Sequence, residues 1–111
     1  MADGPARADL PESAELRRLR RRIDALDRRI VALLNERAVL ARDAGRAKAA
    51  VGRRTIRDAE REREILLRVS MANEGPLPQA DLLAVYRRLF TATRAVEARD
   101  RERRHGDRDD D

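Results

Sequence analysis

The chain has no cysteine and no tryptophan, and only one tyrosine, one phenylalanine and one histidine among its 111 residues. Without thiols, disulfides and thiolate metal sites are excluded. With His105 alone in a polar stretch, a histidine triad and a multi-histidine metal site are excluded as well. Aromatic content of 2% argues against a β-sandwich or barrel, whose cores lean on aromatic and β-branched residues. No apolar run approaches the length of a membrane span, and the first 15 residues lack the hydrophobic segment of a signal peptide. A cytoplasmic location without a membrane partner is the default expectation.

What the chain does contain is charge: 42% of its residues, with 26 basic against 21 acidic side chains and a net charge of +5. Such a composition suits long solvated helices packed through Leu, Ile, Val and Ala, in one domain with a modest core. Arg17, Arg18, Arg20, Arg21 and Arg22 form a basic cluster beside a leucine repeat, a layout similar to a basic zipper. Here the repeat runs through the arginines instead of following them, so one face of the cluster is taken by packing. The pattern argues against nucleic-acid binding.

The stretch from Leu16 to Lys48 reads as one long helix. Apolar residues recur at Leu16, Leu19, Ile23, Leu26, Ile30 and Leu33, then at Leu40, Ala44 and Ala47, in steps of three and four. Asp9, with Pro11 and Glu12 following, is the expected start, and the helix is expected to end near Ala50. At 1.5 Å per residue it exceeds about 50 Å, longer than two short following helices can cover, so its seam calls for a partner. Arg37 interrupts that seam, and unpaired burial there would cost several kcal/mol. The alternative is that Arg37 snorkels past the seam or pairs with Glu36 or Asp43. Lys48 is the lone lysine in a chain that otherwise writes its cations as arginine, which points to a site wanting a compact ammonium. Arg37 and Lys48 lie eleven positions apart, about three turns, and project from one face. Two such cations suit a small dianion.

Residues 1–8 are small and polar and are expected to be a disordered lead, with the helical domain over 9–99 and a disordered charged tail over 100–111. Residues 51–57 read as a loop. Asp58 caps a second helix, whose Ile65, Leu66 and Val69 share a side with Glu62. Glu62 there suits a hydroxyl at a cavity edge, although Asp58 and Glu62 also simply favour a helix N-terminus. Asn73 to Pro78 closes the second helix and opens a third. On it Leu82, Tyr86, Leu89, Phe90, Thr93 and Val96 form a stripe that Glu97 continues. Taken alone, Thr93 is more often a core-edge residue and Glu97 a solvated one.

Four pieces of the chain carry a resemblance: LRRRIDALDRRIVALLNERAVLARDAGRAK, IRDAERERE, NEGPLP and VYRRLFTATRAVEA. Their order and spacing, from about Leu16 to Glu97, resemble the all-helical chorismate mutases of the AroQ class. The resemblance implies an all-α fold with three helices per chain, the first long, in an intertwined homodimer that rearranges chorismate to prephenate without cofactor or metal. By matching position it implies that Arg37 and Arg61 hold substrate carboxylates, and that Lys48 meets a carboxylate and the ether oxygen. Asp58 and Glu62 would hold the ring hydroxyl, Thr93 would sit by the ring carboxylate, and Arg20 would come from the neighbouring subunit. Helix arithmetic agrees on Arg20, which lies roughly 25 Å along the axis and about 100° around it from Arg37.

Two departures matter. Thr93 stands where many members of the class have serine, and keeps the hydroxyl. Glu97 stands where many have glutamine, and a carboxyl donates a hydrogen bond to the ether oxygen only while protonated. Arg37, Lys48 and Glu97 are therefore the expected catalytic groups, with activity falling as pH rises through the Glu97 pKa. Related chemistry is an alternative, namely isochorismate pyruvate lyase or 4-amino-4-deoxychorismate mutase. A regulatory binding partner of 3-deoxy-7-phosphoheptulonate synthase, the enzyme that similar domains are fused to or associated with, is a rival of a different class.

Overall fold

The computed structural model describes residues 10–53 and 56–109. The described residues form three helices and no strand: α1 Ala14–Ala50, α2 Ala59–Ala72 and α3 Gln79–Asp109. The expected all-α, three-helix architecture with a long first helix is what the chain adopts. No described helix is long and apolar enough to cross a membrane. The expected lead over residues 1–8 and the Asp9 cap lie outside the described residues.

The chain divides into two compact units, residues 1–36 and residues 37–111. In the first, α1 begins at Ala14. Ser13 is the cap: its Oγ accepts from the Leu16 amide at 3.1 Å, and its carbonyl accepts from the Arg17 amide at 3.0 Å. The start expected farther upstream gives way because Pro11 disfavours helical geometry in the residue before it, while Ser13 brings its own acceptor to the first turn. Along this unit the seam residues remain half-exposed, with Ile23 at 54%, Leu26 at 50% and Ile30 at 51%.

In the second unit, α1 ends in a Schellman arrangement. Gly52, at φ 85°, donates to the Ala49 carbonyl at 3.0 Å, and Arg53 donates to the Lys48 carbonyl at 2.9 Å. Only a residue comfortable at positive φ ends the helix there, which sets Lys48 in its last turn. Asp58 caps α2, its Oδ1 accepting from the Arg61 amide at 3.0 Å. The turn into α3 is tied by Asn73, whose Oδ1 accepts from Gly75 at 3.0 Å and whose Nδ2 donates to the Leu77 carbonyl at 3.1 Å. Gln79 Nε2 closes it by donating to the Ser70 carbonyl at 3.0 Å. This short, crosslinked turn packs α2 directly on α3. The C-terminal part of α1 meets α3 through long side chains instead.

The apolar core among the described residues is small. Phe90, 6% exposed, is its buried member, with Tyr86 edge-on to it at 6.3 Å between centroids. Over the Phe90 ring lies the Arg37 guanidinium, 6.0 Å from the centroid.

The stretch expected to be a disordered tail is different. Helix α3 continues through residues 100–109, ten positions past the expected end of the domain. Two things hold it. Asp100 and Arg104 stand one helical turn apart in a favourable orientation, and Asp100, only 8% exposed, is anchored by Arg46 of α1. Composition alone reads such a segment as too polar to order, because the anchor lies 54 residues away.

Candidate active site

A cavity of about 480 Å³ opens between the C-terminal part of α1, the start of α2 and the middle of α3. Its charged and hydroxyl lining consists of Arg37 and Lys48 from α1, Asp58, Arg61 and Glu62 from the α2 start, and Thr93, Arg94 and Glu97 from α3. Leu40, Ala41, Ala44, Ile56, Ile65 and Phe90 supply its apolar surface. The periodicity of each helix explains the convergence. Arg37, Ala41, Ala44 and Lys48 recur in steps of three and four, as do Phe90, Thr93 and Glu97. Every site residue expected from the sequence lines this one cavity, with the exception of Arg20. That residue belongs to the N-terminal unit, where its guanidinium is paired with the Glu12 carboxylate.

The cations differ in how they are held. Arg37 pairs with no carboxylate among the described residues, so the expected alternatives Glu36 and Asp43 do not take it; the ring of Phe90 supports it instead. Asp43 Oδ1 lies 3.7 Å from Arg42 Nε. Lys48 is half-buried and likewise forms no ion pair among the described residues. Arg61 is about half exposed and rests 3.4 Å from Glu64 Oε1, a contact of the solvated kind that exchanges readily. Three cations are thus available to an anionic guest.

The carboxylates are more committed. Asp58 gives one oxygen to the helix cap, with Arg53 3.8 Å from the other. Glu62 is held by Arg94 through a short ion pair and lies 3.6 Å from Arg57 Nε. Glu97 has a different environment. Burial pushes its carboxyl above the ordinary carboxylate value, against the pull of Lys48, Arg101 and Arg94. The shift is towards the neutral, hydrogen-bond-donating acid at the α1–α3 wall of the cavity, relative to an exposed glutamate.

Arg94 is the charged lining residue that sequence reasoning missed. It resembles its neighbours Arg87 and Arg88, and its importance comes from Glu62, 32 residues away in sequence. No local spacing signals such a pair.

A second cavity, of about 320 Å³, shares Lys48, Ile56 and Glu97 with the first and is bounded on its far side by Arg46 and Asp100. Lys48 and Glu97 thus form part of the wall between the two.

The profile of chorismate mutase type II matches residues 19–98. The chain belongs to this family. The bifunctional chorismate mutase/prephenate dehydratase of Aquifex aeolicus (strain VF5) is 39% identical over 87 residues, 75% of this chain and 24% of that protein. The protein of the same description from Stutzerimonas stutzeri is 33% identical over 92 residues, covering 79% of this chain and 25% of its own length. The chain thus spans about a quarter of the length of these curated relatives. Among solved structures, form II of chorismate mutase from Thermus thermophilus superposes with a TM-score of 0.72 at 30% identity, covering 77% of this chain and 96% of that one. The matched span includes every residue that lines the larger cavity.

Proposed function

We propose that the chain is a chorismate mutase, rearranging chorismate to prephenate in the cavity lined by Arg37, Lys48, Arg61, Thr93 and Glu97. The observation that carries this reading is the convergence of three available cations and one half-buried carboxyl, that of Glu97, on a single cavity of about 480 Å³. The reaction is a [3,3] rearrangement: the ether C–O bond breaks as a C–C bond forms, and no atom enters or leaves. It needs no nucleophile and no obligatory proton transfer. It needs a dicarboxylate held in its folded reactive conformer, with donors fixed where charge develops on the ether oxygen.

Arg37 and Arg61 suit the carboxylates, because a guanidinium fork binds such groups at two points. Lys48 and protonated Glu97 suit the ether oxygen, one as a compact charge and the other as a neutral donor. Thr93 offers a hydroxyl to the ring carboxylate. Glu62, oriented by Arg94, and Asp58 suit the ring hydroxyl.

The same reading includes a homodimer. Its support is the exposed apolar seam of the N-terminal unit, a long row of half-exposed Leu and Ile that a monomer leaves wet. A second copy that covers the seam would bring Arg20 to the partner's cavity.

The test is chorismate consumption by the purified chain from acid to mildly alkaline pH, with prephenate identified as product. Activity declining on the alkaline side supports both the mutase and the acid role of Glu97. No turnover of chorismate, with turnover of isochorismate or 4-amino-4-deoxychorismate, would replace the substrate. Activity appearing only with 3-deoxy-7-phosphoheptulonate synthase would favour a partner-dependent module. Arg20 in trans is tested by mixing two inactive variants, Arg20→Ala and Arg37→Ala. Subunit exchange should restore about a quarter of parental activity, since half the dimers form and each has one complete site. Failure to recover any would place Arg20 outside the site.

A further inference from the structure

Asp100 is the buried charge that the proposed chemistry leaves unused. It lies one turn beyond Glu97 on α3, and with Phe90 it makes up the buried residues of the described chain. Arg46 of α1 grips it at two points, Nε to Oδ2 at 2.9 Å and Nη2 to Oδ1 at 2.5 Å. This fork lies where α1 and α3 approach through side chains alone. It also lies directly beside the place where Glu97 rests on α1. A Cβ built on Gly45, the residue before Arg46, would come 3.6 Å from Glu97 Cγ, Cδ and Oε2.

Two consequences follow from that placement. The first is mechanical: a two-point ion pair fixes both the separation and the rotation of the helices that it joins. Lys48 lies two positions after Arg46 and Glu97 three before Asp100, so the fork sets these groups against each other. The second is electrostatic. A guanidinium at Arg46 without its partner would be one more cation near Glu97. With Asp100 in place, the charges that pull on Glu97 are those of Lys48, Arg101 and Arg94. Across the larger cavity Glu97 also faces Arg37 from α1 and Arg61, Glu62 and Asp58 from the start of α2, and the smaller cavity that it shares is lined as well by Arg42, Arg53, Arg104 and His105. The hydrogen bond from Arg46 holds the Asp100 carboxyl below its ordinary value, so the pair stays ionised and closed from mildly acid pH upward.

We propose that Asp100 is a positioning residue for the rearrangement: its fork with Arg46 sets Glu97 against Lys48 and withholds the Arg46 charge from Glu97. The inference rests on the mutase reading, with Glu97 as a donor that must be protonated. It makes a prediction that a purely structural ion pair does not, because the two halves of the pair act on Glu97 with opposite sign. Asp100→Asn leaves an unpaired cation and moves the alkaline limb of activity to lower pH. Arg46→Gln leaves an unpaired carboxylate one turn from Glu97 and moves the limb to higher pH. The double variant returns it towards the parent.

The experiment follows the mutase pH profile of the three variants together with the pH titration of the Glu97 side-chain carboxyl carbon by NMR in the free protein, assigned with Glu97→Gln. On the alkaline side, with each activity taken as a fraction of the same protein's acid-pH activity, Asp100→Asn should fall roughly three- to tenfold below the parent and Arg46→Gln should rise above the parent by a similar factor. Equal losses in all three variants with the limb and the carbon titration unmoved would overturn the proposal and leave a structural pair. If Asp100→Asn fails to fold, Arg46→Gln and the double variant still decide it by the sign of the shift. If the carbon titration moves as expected in a chain that rearranges nothing, the mutase reading fails while the action of the pair on Glu97 stands.

Discussion

Residues 14–36 and residues 37–50 belong to the same helix, α1, yet place their side chains in different surroundings. The earlier stretch is a regular seam of Leu and Ile left half-exposed, with its arginines outside it. The later stretch has Arg37, Ala41, Ala44 and Lys48 where the earlier one has large apolar residues, and those positions line a cavity. A seam of large apolar residues is built to be covered. A seam of small residues punctuated by cations leaves room for a guest and supplies the charge that binds it. One helix thus carries two kinds of surface, and its sequence period is the same in both.

The comparison can be broken from either side. The largest effect is expected at the cavity: Lys48→Ala should lower kcat/KM by roughly 10²–10³-fold, the usual cost of losing one donor to developing charge. Helix content measured by circular dichroism should be unchanged. A loss smaller than about tenfold would remove Lys48 from the ether-oxygen role. From the other side, Ile23→Asp puts a charge into the exposed seam. If a second copy covers that seam, burying an unpaired carboxylate costs several kcal/mol, and sedimentation should show dissociation with activity lost alongside. Unchanged association would mean that the seam is not the interface.

A sharper distinction comes from Glu97. Burial raises its pKa, so the protonated donor persists to higher pH than in an exposed glutamate and is lost as pH rises through the raised value. Glu97→Gln keeps the donor at every pH, so the alkaline decline of the parent should flatten, the variant gaining about tenfold per pH unit beyond the parental midpoint. An identical profile in both would exclude Glu97 as the titrating donor. The smallest effect is expected at Asp58, where Asp58→Ala removes the α2 cap and should cost about 1 kcal/mol in urea unfolding. Asp58→Ser retains an acceptor for the Arg61 amide and should recover most of that loss. If Ser fails to do so, the second oxygen of Asp58 does more than cap the helix.

How much was legible beforehand follows from distance in sequence. Asp58 as a cap and the turn around Gly75 are local devices, and local chemistry announces them. Arg37 and Lys48 were visible because they break a pattern: one interrupts an apolar seam, the other is a single lysine among arginines. Arg94 broke no pattern and was invisible, as its partner is Glu62 on another helix. The segment beyond residue 99 was misread for the same reason. Its composition is that of a solvated tail, and the fork that anchors its first residue comes from Arg46 on another helix.

By itself the sequence determined the all-helical fold, the three elements and the unpartnered seam, because helical period, caps and breakers act over one or two turns; period alone picked out Arg37, Lys48 and Glu62, and the other charged cavity residues were legible only through the family resemblance. Tertiary structure alone decided which charges are neutralised and which remain available. Glu62 is held by Arg94, Asp100 is closed on Arg46, and Arg37 is left over a ring with no carboxylate partner among the described residues. Pairing of that kind depends on which helices meet and at what spacing, and no one-dimensional pattern in a chain so rich in arginine distinguishes a paired cation from a free one.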